Sequence, residues 1–321
     1  MPMLAIFLSL LAFQLPDRQA TETTSVHAIR LFQAIGTPDT LTRDQFLKAK
    51  IARALARDNQ IAFDEVNELI TQEKFLQIAG ADGQMNSNEI VKASEEITPA
   101  SRLKLNPPAR HHADLLTTSF DMIDEPHRQA GQKLEEWIIK QHQPGKPLHI
   151  IVVCTGNSRR SMIGSSMGNL AAAYYDMPEI QFHSGGTAPT AFNKRTIQTL
   201  KNIGFSIETS GKEAPRGEPQ TANPIYTIKW GEGLESQEFS KHYADKANPQ
   251  NGFAALMVCS EADAECPFVK GASARISMPY LDPKLFDDSP FEAAKYAERR
   301  DDIGRLMLSV MATVRQELLK K

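Results

Sequence analysis

The sequence predicts an α/β protein: a doubly wound, four-stranded parallel sheet with an anion-seating loop after its first strand, preceded by a small helical domain. Three observations carry this. After Pro147, apolar β-branched runs alternate with helical stretches, the pattern of a parallel sheet covered on both faces. The first such run, "LHIIVV", passes directly into the small and basic "CTGNSRRS". Residues 24–110 are polar and hold no run resembling a buried parallel strand. The 321 residues, 41% hydrophobic and 23% charged, suffice for two domains with separate cores. A net charge of −3 with no polybasic run argues against a nucleic-acid surface and against stable membrane integration, so any anion must be held locally.

Taken in order, the apolar run Met3–Phe13 has the length of a signal-peptide core, and "RQA" before Thr21 suits a cleavage site. Residues 1–20 therefore read as a signal peptide and the protein as exported, periplasmic or secreted; without such a leader it would be cytoplasmic. Neither Lys nor Arg precedes the apolar run, and no cysteine lies near it to take a lipid. Within 24–110 three pieces, "PDTLTRDQF", "DNQIAFDEV" and "DGQMNSNEI", align on Leu41, Ile61 and Met85. They resemble the back half of an EF-hand loop. Glu65 and Glu89 stand at its last position and Asp58 and Asp82 at its fifth. The first and third positions are Ala54 and Ala56, or Ile78 and Gly80, so most ligand oxygens are missing. The expectation is a helical module without calcium, an unrelated helical segment being the alternative. No metal or other cofactor is called for anywhere in the chain.

The Pro pair in "LKLNPPARHH" marks a boundary, because proline cannot sit inside a helix. A helix from Ala113 to Gln143, with Leu134, Trp137 and Ile138 on its packing face, then opens a domain running from 113 to 321. "LHIIVV" comes next as a buried strand, "SMIGSSMGNLAAAYYD" as a helix, "IQFHSGG" as a strand and "FNKRTIQTLKNIG" as a helix. "PIYTIKW" reads as a strand, "SQEFSKHYAD" as a short helix, "FAALMVCS" and "ARISMPY" as strands. A long helix closes the chain from Pro290.

Cys154 stands at the C-terminal end of the first of these strands, where ligands of such sheets bind. Gly156, Asn157 and Ser158 are small enough for successive backbone N–H groups to turn inward, and the helix after them adds its positive N-terminus. That is a seat for a tetrahedral oxyanion. Arg160 offers a planar fork for two oxygens of the anion, and the same positive field favours the thiolate of Cys154. A nucleophile and an anion site would coincide.

"VCTGNSRRS", with its Cys-x5-Arg-Ser, resembles the phosphate loop of the low-molecular-weight protein tyrosine phosphatases and of the thioredoxin-coupled arsenate reductases that share their fold. "HSGGTAPTAFNKRTIQTLKNIGF" and the Asp-Pro of "PYLDPKLF" resemble further segments of that family, over residues 147–320 in total. The resemblance implies that Cys154 attacks the central atom, Arg160 steadies the equatorial oxygens and Ser161 hydrogen-bonds the sulfur. Asp282 would protonate the leaving oxygen and then activate water. Thr155, Gly156, Asn157, Ser158 and Arg159 complete the loop. Asn157 is expected to hold its shape, and Arg159 to face solvent or an adjacent acid.

Cys259 and Cys266 in "VCSEADAECP" match the redox pair of the reductase branch, which implies a relay from Cys154 through both and thioredoxin as partner. In an oxidising compartment the same two would instead form a local disulfide. Lys284 and Leu285 come after the Asp-Pro where the phosphatases usually carry tyrosine. Three functions stay open: a phosphomonoesterase acting on a phosphorylated substrate, an arsenate reductase, and an oxyanion- or phosphoprotein-binding module without turnover.

Overall fold

The computed structural model describes residues 100–320, apart from 118, 219 and 267, together with the backbone of 41–42 and 84–85. The segments read as a signal peptide and as a helical module lie outside the described residues, save for those four. There Leu41 pairs with Met85, and Thr42 with Gln84, in a two-residue antiparallel ladder. Two of the three apolar residues aligned from the sequence thus face one another.

The core is an α/β arrangement around a four-stranded, all-parallel sheet. Its strands are β1 (Leu148–Cys154), β2 (Ile180–Gly186), β6 (Phe253–Met257) and β7 (Ala272–Ser277), ordered β2-β1-β6-β7. The runs LHIIVVC and FAALM are apolar almost throughout because the central strands are covered on both faces; all of β6 is buried, as is β1 except His149. Helix α3 (Arg160–Tyr174) is buried along its whole length. Two small residues one turn apart let it lie close on the sheet. A side chain at Gly164 would meet Val152, and one at Gly168 would strike the ring of Phe182. Helix α6 (Glu292–Leu319) packs on α3, where Gly304 makes room for Met167.

The sequence-read helix 113–143 is two helices, α1 (Pro107–Leu116) and α2 (Glu125–Gln141), with a short 3-10 turn between. Asp124 caps α2 by accepting the His127 N–H at 3.0 Å, and Pro126 sits in its first turn, where its missing N–H costs nothing. Pro107 and Pro108 occupy the same place in α1, so the pair starts a helix. The packed body accordingly begins before residue 113: Arg102 donates to the Tyr174 carbonyl at 3.1 Å, and Leu105 and Ala109 are core residues.

A second correction concerns "SQEFSKHYAD". Residues 234–238 form strand β5 (Leu234–Glu238), which with β3 (Ser206–Glu213) and β4 (Pro224–Gly231) makes a three-stranded antiparallel sheet. Gly233, at φ 67°, supplies the left-handed turn that brings β5 back along β4, and this tertiary pairing overrides the local helical reading. "PIYTIKW" is a strand as expected but belongs to this sheet. Helix α4 (Lys194–Lys201) starts where Asn193 accepts the Arg195 N–H, and α5 (Ser260–Glu265) comes after β6.

The outer edge of β2 is closed by side chains and a loop rather than by another strand. Asn169 pairs with both backbone groups of Phe182 at 2.8 and 2.9 Å, Asn248 donates to the Ser184 carbonyl at 3.0 Å, and Gly186 bonds to Lys241 and Tyr243. An edge so capped offers no template for another chain. No helix among the described residues is long and apolar enough to cross a membrane.

On the face of the sheet away from Val152 and Phe182, His149 and His183 approach to 3.1 Å between ring nitrogens. Burial, with smaller contributions from His149 and Lys241, pushes His183 down to about 4. The folded state then holds His183 neutral where the unfolded chain takes up a proton near pH 6.5. Its contribution is whole above pH 6.5 and is lost as pH falls from 6.5 to 4, by at most about 3 kcal/mol. Urea unfolding at pH 7 and pH 5 should show this loss in the wild type and a much flatter profile in His183→Gln.

Candidate functional site

Four strand ends gather at one edge of the parallel sheet. β1 ends in Cys154, β2 in Gly186, the chain after β6 reaches Cys259, and the chain after β7 reaches Tyr280 and Asp282. Backbone bonds beyond the strands keep them aligned: Val258 N–H donates to Val153 O at 2.9 Å and Tyr280 N–H to Val258 O at 3.1 Å.

From Cys154 to Arg160 the chain passes from a buried strand to a buried helix through a five-residue loop. The carbonyls of Cys154, Thr155, Gly156 and Ser158 are turned towards the neighbouring chain, accepting from the N–H groups of Thr187, Ala188, Thr190 and Asn193 at 2.9–3.2 Å. In a trans peptide the next N–H points the opposite way, so those of Thr155, Gly156, Asn157 and Arg159 face the other side of the loop. Gly186 has no side chain because one would strike Thr155 O and Asn157 N. Ser240 adds a second clamp, its hydroxyl donating to Gly156 O at 3.0 Å.

Asn157 is fully buried with φ 41°, a conformation asparagine tolerates better than most residues. Its Nδ2 donates to Ser161 Oγ at 2.9 Å and its Oδ1 accepts the Lys241 N–H at 2.8 Å. Ser161, whose oxygen is occupied by Asn157, has its own proton free for Cys154 Sγ, 3.1 Å away.

Arg160 is buried to 6% exposure and spans the gap to the β7 end. Nη1 donates to Tyr280 O and Nη2 to Asp282 Oδ2, both at 2.9 Å; Glu261 lies 3.8 Å away; the buried Nε has no protein partner. Asp282 also caps a short 3-10 turn by accepting the Lys284 N–H at 2.9 Å. Arg159 faces an acid, as expected: it donates to Asp287 Oδ2 at 3.0 Å and to the Tyr296 hydroxyl at 2.7 Å. Burial raises the Tyr296 hydroxyl's pKa, so it stays protonated and passes its own hydrogen bond on to Asp287 at 2.8 Å. Arg195 also pairs with Asp287, at 3.5 Å.

All three cysteines are free thiols. Cys259 is fully buried at the N-terminus of α5, 3.5 Å from Thr155 Oγ1, and close enough to Arg160 and Cys154 for their charges to act on it. Burial pushes its thiol up, which keeps it protonated. Cys266 lies half-buried beyond the other end of α5, against the hydroxyl of Tyr243.

The partners invisible in the sequence are Ser240, Lys241, Asp287 and Tyr296. The first two stand 84 residues from the loop atoms they hold, within a segment whose local pattern reads as helix. No family model matches this chain, and neither does any curated protein. The chemistry of the site rests on its own geometry.

Asn157→Ala should lower stability by about 2–4 kcal/mol, through a left-handed alanine and two buried groups left without partners. Asn157→Gly, which restores the backbone freedom alone, should recover about 1 kcal/mol of that. Urea midpoints of the two variants check the separation.

Proposed function

We propose that residues from about 100 onwards form a doubly wound, phosphate-loop domain that hydrolyses phosphomonoesters through a cysteinyl-phosphate, in the manner of the low-molecular-weight protein tyrosine phosphatases. The observation that carries this is the convergence at one sheet edge of a cysteine contacted by a hydroxyl, a loop whose carbonyls are tied to residues 187–193, and a buried arginine tied to a carboxylate. In this reading the phosphoryl oxygens take the loop N–H groups and the guanidinium of Arg160. An incoming dianion competes with Asp282 for Arg160 Nη2, and its arrival frees that carboxyl for the leaving group. Cys154 attacks phosphorus as the thiolate, the S–P bond forms as the ester P–O bond breaks, and Asp282, entering this step as the acid, gives its proton to the departing oxygen. Water then attacks phosphorus, Asp282 takes its proton, and the S–P bond breaks to release phosphate and thiolate. Leu281 and Leu285, 71% and 74% exposed on either side of Asp282, would give an esterified apolar group its surface.

Cys154→Ser should reduce turnover of para-nitrophenyl phosphate to background while still binding inorganic phosphate, since the loop and Arg160 remain. Asp282→Asn should slow phenyl phosphate about a hundredfold more than para-nitrophenyl phosphate, because only the poorer leaving group needs the proton. Residual hydrolysis in the first variant, or equal losses in the second, would defeat these assignments.

Arsenate reduction is the second reading, favoured by the approach of Cys259 to the loop. There Cys259 attacks the sulfur of a Cys154–arsenate adduct, two electrons pass to arsenic, arsenite leaves, and Cys266 then displaces Cys154 to make a Cys259–Cys266 disulfide that thioredoxin reduces. Two features weigh against it. The buried Cys259 stays protonated, and α5 separates the pair: seven steps of about 1.5 Å give a spacing near 10 Å, beyond what a disulfide spans. The relay therefore needs α5 to unwind, as would a local disulfide. Reduced protein given arsenate and thioredoxin should release no arsenite and show arsenate only as a competitive inhibitor of ester hydrolysis, and Cys259→Ser and Cys266→Ser should keep hydrolysing. Arsenite release that both variants abolish would give the reductase reading precedence.

A further inference from the structure

The carboxyl of Asp282 hangs from a short stretch of chain, residues 279–282, between β7 and the 3-10 turn Pro283–Phe286, and in that stretch only Tyr280 is buried. The Tyr280 N–H donates to Val258 O, and its carbonyl accepts from Arg160 Nη1. Asp282 itself is held by Arg160 Nη2 and by the Lys284 N–H two residues on. An anion that takes Nη2 for itself leaves the placing of Asp282 to the backbone that runs from Tyr280.

That backbone is braced from outside the sheet by α2. The ring of His127, in the first turn of the helix, stacks on the Tyr280 ring with centroids 4.1 Å apart and planes 20° from parallel. Its Nε2 lies 3.2 Å from Pro279 O, the carbonyl just before Tyr280, and its Nδ1 lies 2.7 and 2.8 Å from the two oxygens of Asp124. Burial acts against the charge on Asp124, but hydrogen bonds from His127, with the nearby charges of His127 and Arg299, hold its carboxyl below the usual carboxylate range. A carboxylate and a carbonyl can only accept, so both ring nitrogens must donate, and only the doubly protonated imidazole does so. A cationic ring is also attracted to an aromatic face. The other charged groups here are on α6: Arg299, 5.6 Å from the Tyr280 ring centroid, and Asp302 and Arg305, which line the same small hollow as His127.

We propose that His127 is a positioning residue for Asp282: doubly protonated, it clamps the backbone at Pro279 and Tyr280 and so keeps the acid within reach of the leaving oxygen while an anion occupies Arg160. The proposal rests on the hydrolytic reading of the site. α2 lies ahead of the stretch that resembles the phosphatases, and the clamp comes from outside it. A neutral ring keeps its one proton for Asp124 and turns a lone pair on the Pro279 carbonyl, and the clamp opens.

The full-length protein is assayed with phenyl phosphate, which needs a proton at departure, and with para-nitrophenyl phosphate, which hardly does. His127→Ala should lower kcat for phenyl phosphate about tenfold and for para-nitrophenyl phosphate by less than about twofold, with KM for both near the wild-type value. His127→Gln, which keeps the bulk and loses the charge, should behave alike. His127→Arg, planar, always charged and able to stack, should recover most of the phenyl phosphate rate. In an Asp282→Asn background His127→Ala should change neither rate further, because the group it positions no longer carries a proton. As pH rises through the range where histidines titrate, the rate on phenyl phosphate relative to para-nitrophenyl phosphate should fall more steeply in the wild type than in His127→Arg. Equal losses on the two esters, or none, in both His127→Ala and His127→Gln overturn the proposal, as do further slowing in the Asp282→Asn background or parallel pH profiles for the wild type and His127→Arg. Each of those outcomes leaves wild-type hydrolysis standing, whereas a wild type inert towards both esters defeats the hydrolytic reading itself and the proposal with it.

Discussion

Everything at the sheet edge depends on how five residues join a buried strand to a buried helix. β1 and α3 have almost no exposed surface on which to adjust, so the loop between them must take its shape from hydrogen bonds. Asn157 provides three constraints at once: a left-handed backbone, a bond forward to Ser161, and a bond across to the chain after β5. Cys154, Ser161 and Lys241 are thereby fixed relative to one another. The antiparallel sheet, which carries none of the expected catalytic residues, enters the site through that bond.

The second constraint is electrostatic. Arg160 is almost fully buried, and a buried guanidinium must be matched by acceptors. Tyr280 O and Asp282 provide them from the β7 end, so arginine and carboxylate hold each other while Glu261 stands further off. The unmatched Nε marks where another acceptor is wanted. Arg159, its neighbour, is fully engaged with Asp287 and Tyr296. Adjacent arginines thus play different parts: one anchors the start of α3 to α6 and the segment before it, and the other faces a partner that an anion could displace.

The parallel sheet was legible because its central strands are buried on both faces and so read as unbroken apolar runs, each succeeded by a helix. Its edge was less so. β5, with Ser236, Gln237 and Glu238 in succession, has no apolar stripe of its own, and only its turn at Gly233 and its pairing with β4 make it a strand. Proline misled for a related reason: Pro107–Pro108 would break a helix from within but starts one from its first turn, and the dipeptide alone does not distinguish the two positions. Cys154 and Arg160 were singled out from residue type and spacing, and Asp282 from the family resemblance of its Asp-Pro. Ser240, Lys241 and Tyr296 act through contacts 84 to 137 residues away in sequence, which no local pattern encodes.

The cysteines show how a short helix bears on the chemistry open to a site. Spacing in sequence sets Cys259 and Cys266 seven apart, a separation that a loop could fold into a bridge. As residues bracketing α5 they cannot meet, because each residue of helix carries them apart. α5 begins beside Cys259, whose sulfur accepts the Ala262 N–H at 3.4 Å; that bond favours the thiolate, but burial outweighs it and pushes the thiol up. Six residues of helix therefore oppose a relay by distance, and the burial of Cys259 opposes it by ionisation. In the proposed reading, a disulfide relay carries the cost of unwinding α5, whereas ester hydrolysis is written without it.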